Sequence, residues 1–544
     1  MTPTAPTHSS VDAEVAALLA EYGADDADAA ALLVDRHDPD AIAFRTVGTD
    51  GDELVVTAVT YGELAARSRR LATGLAGLGV ERGSRVGVLM GKRTEIVVTL
   101  LALARLGAVY IPLFTAFATP AIEMRLRGGG AEVVVTEASQ VGKLEGIGGL
   151  TTVVAGAGSE ASGPNGPGAG SGPGVVDFDD LVARSDPWES SVAVGGDGHL
   201  ILLFTSGTTG APKGVPVPVR ALAAFVAYMR FGLDVSADDV FWNAADPGWA
   251  YGLYYGILGP LAIGRPNLLL QAGFTPELTA RVLRELGVTN FAAAPTVYRS
   301  LSKSTAVQGF SLRHASSAGE PLTPDVIEWA TGALGTEVRD HYGQTEHGMF
   351  INNHWAPGIF EPGVVETLIP GSMGRPMPGF ATGIVDGQIA IDVPASPAMW
   401  FTGYLDAPEK TAARFSEDGR WYLTGDTGRC DEDGNYFFTA RDDDVIIMAG
   451  YRIGPFDVES VLITHPSVVD VAVVGRPDDL RGEVLEAFVV LADGVVGDGA
   501  LEEQLQQLVK TGFAAHAYPR TVHFVDALPK TPSGKIQRFV LRQR

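Results

Sequence analysis

The chain has 544 residues, 46% of them hydrophobic, and a formal net charge of −25, so it exceeds what one core can organise and requires two or more domains. An acidic chain without a Lys/Arg cluster excludes nucleic acid and anionic membrane as main partners. One cysteine, Cys430, excludes an intramolecular disulfide and a multi-cysteine metal site and fits a reducing compartment.

No basic residue precedes Arg36, and targeting peptides need early positive charge, so the expected location is cytoplasmic. Ala- and Asp-rich helical spacing runs over 11–35 and an amphipathic helix is predicted over 60–78. A buried strand follows at 85–90, a helix at 96–106, and strands at 108–112 and 132–136, the rhythm of a doubly wound sheet. The apolar stretch at 96–114 is broken by Arg105 and Pro112, which suits a buried helix and strand; no membrane span is predicted. Residues 155–175 are almost wholly Gly, Ala, Ser and Pro and read as a flexible surface loop.

A second α/β unit is expected over 200–374 and a small β-subdomain over 375–441, with a turn at Asp433-Gly434-Asn435; 442–544 read as an α+β unit. The predicted fold class is α/β: a large N-terminal domain, 1–441, of two doubly wound subdomains (about 1–199 and 200–374) plus the β-subdomain, followed by a small mobile C-terminal domain. At their junction, Arg441-Asp442-Asp443-Asp444 reads either as a hinge or as a solvated hairpin tip.

The most informative stretch is Thr205-Ser206-Gly207-Thr208-Thr209-Gly210-Ala211-Pro212-Lys213-Gly214, directly after the apolar run 200–204. A strand ending in hydroxyls and glycines leaves backbone N–H groups to converge on an anion, and Lys213 adds positive charge. Its composition exceeds what a reversing turn needs, and no Walker A pattern is present. Further along stand Tyr342-Gly343-Gln344-Thr345-Glu346, Thr424-Gly425-Asp426, Arg441, and Pro532-Ser533-Gly534-Lys535.

In this order the motifs resemble those of the adenylate-forming superfamily of acyl-CoA synthetases, peptide-synthetase adenylation domains and luciferases, with the nearest likeness to short- and medium-chain acyl-CoA synthetases. The likeness runs from about Thr60 to Lys535. It implies that ATP activates a carboxylic acid to an acyl-adenylate, and that CoA then takes the acyl group with release of AMP. Activation means attack on the α-phosphate by a weak nucleophile, so catalysis must come from placing positive charge where oxygen charge develops. The resemblance makes Lys535 the adenylation lysine, Thr345 an α-phosphate contact and Glu346 the Mg²⁺ ligand, a hard oxygen donor suited to that ion. Tyr342 would stack on adenine, Gly319, Glu320 and Pro321 after Ala318 would line it, and Asp340, His341, Gly343, Gln344 and Phe438 complete the nucleotide set. Asp426 would accept from the ribose hydroxyls, Arg441 would hold the ribose from the other side and Arg452 would meet phosphate.

By the same resemblance the C-terminal domain rotates about Asp443 between half-reactions, withdrawing Lys535 and bringing Gly450 and Tyr451 to a pantetheine tunnel. Relatives are switched off by acetylation of this lysine, which implies an acetyltransferase and deacetylase acting on Lys535; an oligomer is compatible with the sequence. Trp249, Ala250, Tyr251, Ala318 and Gly343 are the implied acyl-pocket residues. Acetate-specific relatives carry tryptophan where Gly343 stands, so the expected substrate is a saturated or branched acid longer than acetate, C3 to C8. Two other outcomes stay open: transfer to a carrier protein in trans, and a nucleotide-binding sensor that has lost the reaction. Retention of Lys535, Glu346, Asp426 and Arg441 together argues against the sensor, and luciferase-like oxidation has no residue in its favour.

Overall fold

The computed structural model describes residues 8–156, 175–205, 212–361, 363–441, 444–448, 451–478, 482–514, 516–531 and 535–544, with backbone alone at 8, 9, 324, 325, 451, 452 and 482. The Gly/Ser/Pro segment, save its ends, lies outside the described residues, as does the expected hinge residue Asp443.

Among the described residues the first sheet has seven strands in the order Val175–Asp177, Thr151–Ala155, Val133–Glu137, Arg85–Leu89, Val109–Leu113, His199–Phe204 and Gly214–Pro218. All pairs are parallel except the last. Its central strands are apolar runs because helices cover both faces. The helix Tyr61–Gly77 starts where Thr60 accepts from Glu63 N and Glu63 returns a bond to Thr60 N, a reciprocal cap. It buries Tyr61, Leu64, Leu71 and Leu75. The helix Thr94–Leu106 is almost wholly buried, Arg105 included at 0% exposure. Its guanidinium forks onto Asp35, 2.8 Å to each oxygen, with Ser68 and Ser191 taking further bonds.

The second sheet runs Arg375–Pro376, Gly348–Asn352, Val338–Gln344, His314–Ala318, Asn290–Ala293, Phe241–Asn243, Asn267–Leu270, Ile42–Asp50 and Glu53–Thr60. The expected boundary at 199/200 therefore needs correction. Strands 42–50 and 53–60 belong to the second sheet, through parallel pairing of Phe44 with Asn267, while 199–204 and 214–218 complete the first. Strand pairing is decided by non-local partners, which periodicity along the chain cannot reveal. The helix expected over 11–35 also stops early, at Tyr22. Asp28 then accepts from Ala30 N and Ala31 N and starts a separate turn, Ala31–Asp35, because a side-chain acceptor competes with continuation of the helix.

A four-stranded antiparallel sheet, Thr382–Val385, Gln388–Asp392, Trp421–Cys430 and Tyr436–Arg441, forms the small β-subdomain. Beyond Arg441, strands Ile446–Met448, Tyr451–Ile453, Val468–Asp478, Gly482–Leu491 and Thr521–Phe524 make a fourth sheet. The helices Pro455–Leu462 and Gly499–Gly512 pack on it over a separate core including Val458, Leu462, Val473, Leu485, Val489, Leu505 and Val509. No helix among the described residues is long and apolar enough to cross a membrane.

Candidate active site

The strand His199–Phe204 ends at Thr205, whose N–H donates to Lys213 O (2.9 Å), so the ends of the hydroxyl-rich loop are clamped together by the antiparallel pair 199–204 and 214–218. Ser206, Gly207, Thr208, Thr209 and Gly210 lie outside the described residues. Lys213 sets its ammonium 4.8 Å from the Tyr404 ring centroid. Partial burial and then Arg414 lower its pKa, and Glu346 opposes them.

The strand Val338–Gln344 runs through most of the Tyr342–Glu346 motif and turns through Thr345, Glu346 and His347 into Gly348–Asn352. The extension arises because Tyr342, Gly343 and Gln344 find antiparallel partners in Ile351, Met349 and Gly348, with a bulge after Tyr342. Glu346 is thereby carried inward to 6% exposure, where Tyr404 donates to its Oε1 at 2.8 Å. Arg414 donates through Nε to the Tyr404 hydroxyl (3.2 Å) and through Nη1 to Thr424 O (3.0 Å). Thr345 O accepts from the buried Tyr254 hydroxyl (3.1 Å).

Asp426, 5% exposed, receives two short bonds on Oδ2, from the Tyr342 hydroxyl (2.6 Å) and Gln344 Nε2 (2.6 Å). Arg441, its register partner on the next strand, holds Nε 3.9 Å from Oδ1. Just before Asp426 the strand is irregular, with Gly425 at φ +73°; a Cβ there would stand 2.6 Å from Arg414 Nη1. The Tyr342 ring lies 5.2 Å from Phe350.

Pro321, Asp340 and Phe438 line one pocket with Leu322, Met373 and, from the C-terminal domain, Phe456. Burial raises the Asp340 carboxyl to about 8. Burial likewise lowers the His341 imidazole to about 3. Gly319 has φ +112° and Glu320 pairs with Arg299 at 3.1 Å. The half-buried Trp249 packs on Phe117 (5.5 Å) and Phe114 (5.7 Å), and Ala250 and Tyr251 open the helix that follows it. Ala318 ends its strand beside His341.

The C-terminal domain reaches this cleft. Phe456 meets Phe438 at 6.4 Å, and Lys303 donates to Val469 O at 2.7 Å. Thr531 and Lys535 close on each other, Thr531 N to Lys535 O at 2.7 Å and Lys535 N to Thr531 Oγ1 at 3.1 Å. The Lys535 side chain keeps solvent access yet has protein packed round it; that enclosure first, then Arg441, lowers its pKa, while Glu320, Asp426 and Glu346 face it and pull the other way. Lys535 thus joins Glu346, Asp426 and Arg441 at one place, from segments far apart in sequence. Gly450 and the side chains of Tyr451 and Arg452 lie outside the described residues. Sequence reasoning missed Tyr404 and Arg414, which stand between the second and third strands of the β-subdomain.

A cleft with carboxylates set among cations, fed by a lysine from a second domain, is the apparatus of an adenylate-forming enzyme. The chain matches the family described as "AMP-binding enzyme" over residues 30–396 and "AMP-binding enzyme C-terminal domain" over 457–535. It is 35% identical over 506 residues to an acetyl-coenzyme A synthetase of Bacillus subtilis, covering 89% of this chain and 84% of that one. It is 34% identical over 530 residues to the mouse mitochondrial acyl-coenzyme A synthetase ACSM3, covering 92% and 86%. A solved acyl-CoA synthetase from Brucella canis superposes with a TM-score of 0.73 at 43% identity, covering 98% and 96% of the two chains. The chain belongs to the AMP-binding enzyme family.

Proposed function

We propose that this acid–thiol ligase uses ATP to activate a short- to medium-chain carboxylic acid longer than acetate, then transfers the acyl group to CoA, releasing AMP and pyrophosphate. The observation that carries the reading is the meeting of Lys535 with Glu346, Asp426 and Arg441 in one cleft. A lysine there neutralises charge between the attacking carboxylate and the α-phosphate, and Lys213 and Arg414 add positive potential near Glu346. Asp426 offers carboxylate oxygens to the ribose hydroxyls, with Arg441 beside it, and Thr345 meets the α-phosphate.

Glu346 suits Mg²⁺: it is a single inward carboxylate, steadied on one oxygen by Tyr404, and no group of three His, Cys, Asp or Glu among the described residues forms a protein cage. That matches an ion held largely by phosphates and water, which would neutralise the triphosphate. Ala250 and Ala318, small at positions assigned to the acyl pocket, would leave room for methylenes beside Trp249, with Tyr251 setting one limit. For the second half-reaction the C-terminal domain turns about Asp443, withdrawing Lys535 and presenting Gly450 and Tyr451 to the pantetheine arm.

The test is AMP and pyrophosphate release from ATP and Mg²⁺ with acids from acetate to decanoate plus benzoate, with and without CoA. CoA-dependent AMP release peaking beyond acetate supports the reading. Pyrophosphate release without thioester points to a carrier-protein acceptor.

A further inference from the structure

We propose that the acid this enzyme activates carries a hydroxyl group on its chain, and that Tyr251 accepts a hydrogen bond from it. The inference rests on the acid-activating reading above and on the direction of a buried proton chain.

That chain begins at His341, 2% exposed. His341 Nε2 lies 3.0 Å from Asn353 O, and a backbone carbonyl only accepts, so Nε2 carries a hydrogen. Burial keeps the ring neutral, which leaves Nδ1 as a bare lone pair. Tyr228 Oη stands 2.7 Å from Nδ1 and must donate to it. Its one proton is then committed. The 3.1 Å contact between Tyr228 and Tyr251 hydroxyls can be bridged only by the proton of Tyr251. With that proton turned inward, the Tyr251 oxygen can only accept from anything else that approaches.

Tyr228 is completely buried, whereas Tyr251 is half-buried, at the start of the helix Ala250–Leu253 directly after Trp249. Its ring is held 5.5 Å from Tyr255 and 6.4 Å from Tyr228. The acid-activating reading assigns Tyr251 to the acyl pocket beside Trp249, and there its oxygen would offer the chain a fixed acceptor. An unsubstituted chain covers this oxygen and strips its water without replacing the bond; a hydroxyl on the chain replaces it. Tyr228 is a positioning residue: it reaches substrate only by dictating where the Tyr251 proton points.

The experiment compares kcat/KM for CoA-dependent AMP release across four- to six-carbon acids in three series of equal length: unsubstituted, hydroxylated at successive positions, and oxo. Wild type, Tyr251→Phe and Tyr228→Phe are run together, with thermal melting to verify the fold of each variant. Wild type should favour a hydroxy acid over its unsubstituted counterpart by about tenfold or more. Tyr251→Phe should erase that ratio. Tyr228→Phe frees the Tyr251 proton to point at substrate and should turn the preference towards the oxo acid, an inversion that mere structural damage would not give. Equal use of all three series by wild type, or a hydroxy preference that survives Tyr251→Phe, overturns the inference while leaving the ligase reading intact. Absence of CoA-dependent AMP release with every acid overturns the ligase reading itself.

Discussion

Tyr342 donates its phenol proton to Asp426 Oδ2 across 2.6 Å, joining the hairpin of the second sheet to the small β-subdomain. Gln344 donates to the same oxygen, so Oδ1, with Arg441 beside it, is the less encumbered acceptor for a ribose. Asp426→Asn keeps the shape but exchanges a charged acceptor for one with a single carbonyl. Hydrogen bonds to charged groups contribute roughly 1.5–3 kcal/mol, so the KM for ATP should rise by about tenfold to a hundredfold with a smaller change in kcat. An unchanged ATP KM would remove Asp426 from the ribose site.

Lys535→Ala should lower acyl-adenylate formation by about 10²- to 10³-fold, the loss typical of removing one charge-stabilising donor. Thioester formation from supplied acyl-adenylate should persist, which separates the half-reactions. Enclosure and Arg441 lower the Lys535 pKa, so its charge is present below that value and lost as pH rises through it. The alkaline fall in adenylation rate should therefore begin at lower pH than for an ordinary lysine, and pyrophosphate release measured against pH reads it directly.

Tyr404→Phe deletes the donor on Glu346 Oε1 while retaining the ring beneath Lys213. The Glu346 carboxylate then loses its orientation and Arg414 Nε its acceptor, so the Mg²⁺ concentration needed for half-maximal activity should rise severalfold, with a modest fall in melting temperature. Titration of adenylation with Mg²⁺ at saturating ATP checks this.

A Cβ at Gly343 would stand 2.2 Å from Gly348 O, inside the hairpin. Gly343→Ala should therefore displace the turn carrying Glu346, costing about 1–3 kcal/mol of stability and lowering turnover of acetate and longer acids alike. Selective retention of acetate activity would instead mean that the position faces the acyl chain.

For Asp35, burial by itself would raise the carboxyl, but the Arg105 and Arg69 guanidiniums outweigh it and hold the group below the usual carboxylate range. A folded pKa below the unfolded one means this stabilisation is full above the ordinary carboxylate pKa and fades as pH falls through the folded value. Asp35→Asn leaves Arg105 buried without its counter-charge and should cost about 3–5 kcal/mol, read by denaturant melts at neutral pH. The deficit relative to wild type should shrink in acid.

Local order was readable wherever a residue pattern decides it. The helix expected over 60–78 and the strands expected over 85–90 and 132–136 form at 61–77, 85–89 and 133–137, and the order of motifs from Thr205 to Lys535 pointed to Glu346, Asp426, Arg441 and Lys535. Arrangement that depends on distant partners was not readable. Nothing near Phe44 announces Asn267, nothing near Gly343 announces the hairpin that extends its strand, and Tyr404 and Arg414 act through contacts with Glu346 and Thr424 that no spacing encodes.

The exchange of strands between the two large sheets governs how the molecule can come into being. The early hairpin 42–60 must wait on the ribosome until residues 267–270 have emerged, and the sheet begun at Arg85 stays unfinished until residue 218 is out. The second sheet cannot mature without that early hairpin, so a nascent chain halted before residue 267 exposes its unpaired strand edges to chaperones and proteases. Splitting the gene between the two sheets should yield fragments that recover activity only when made together.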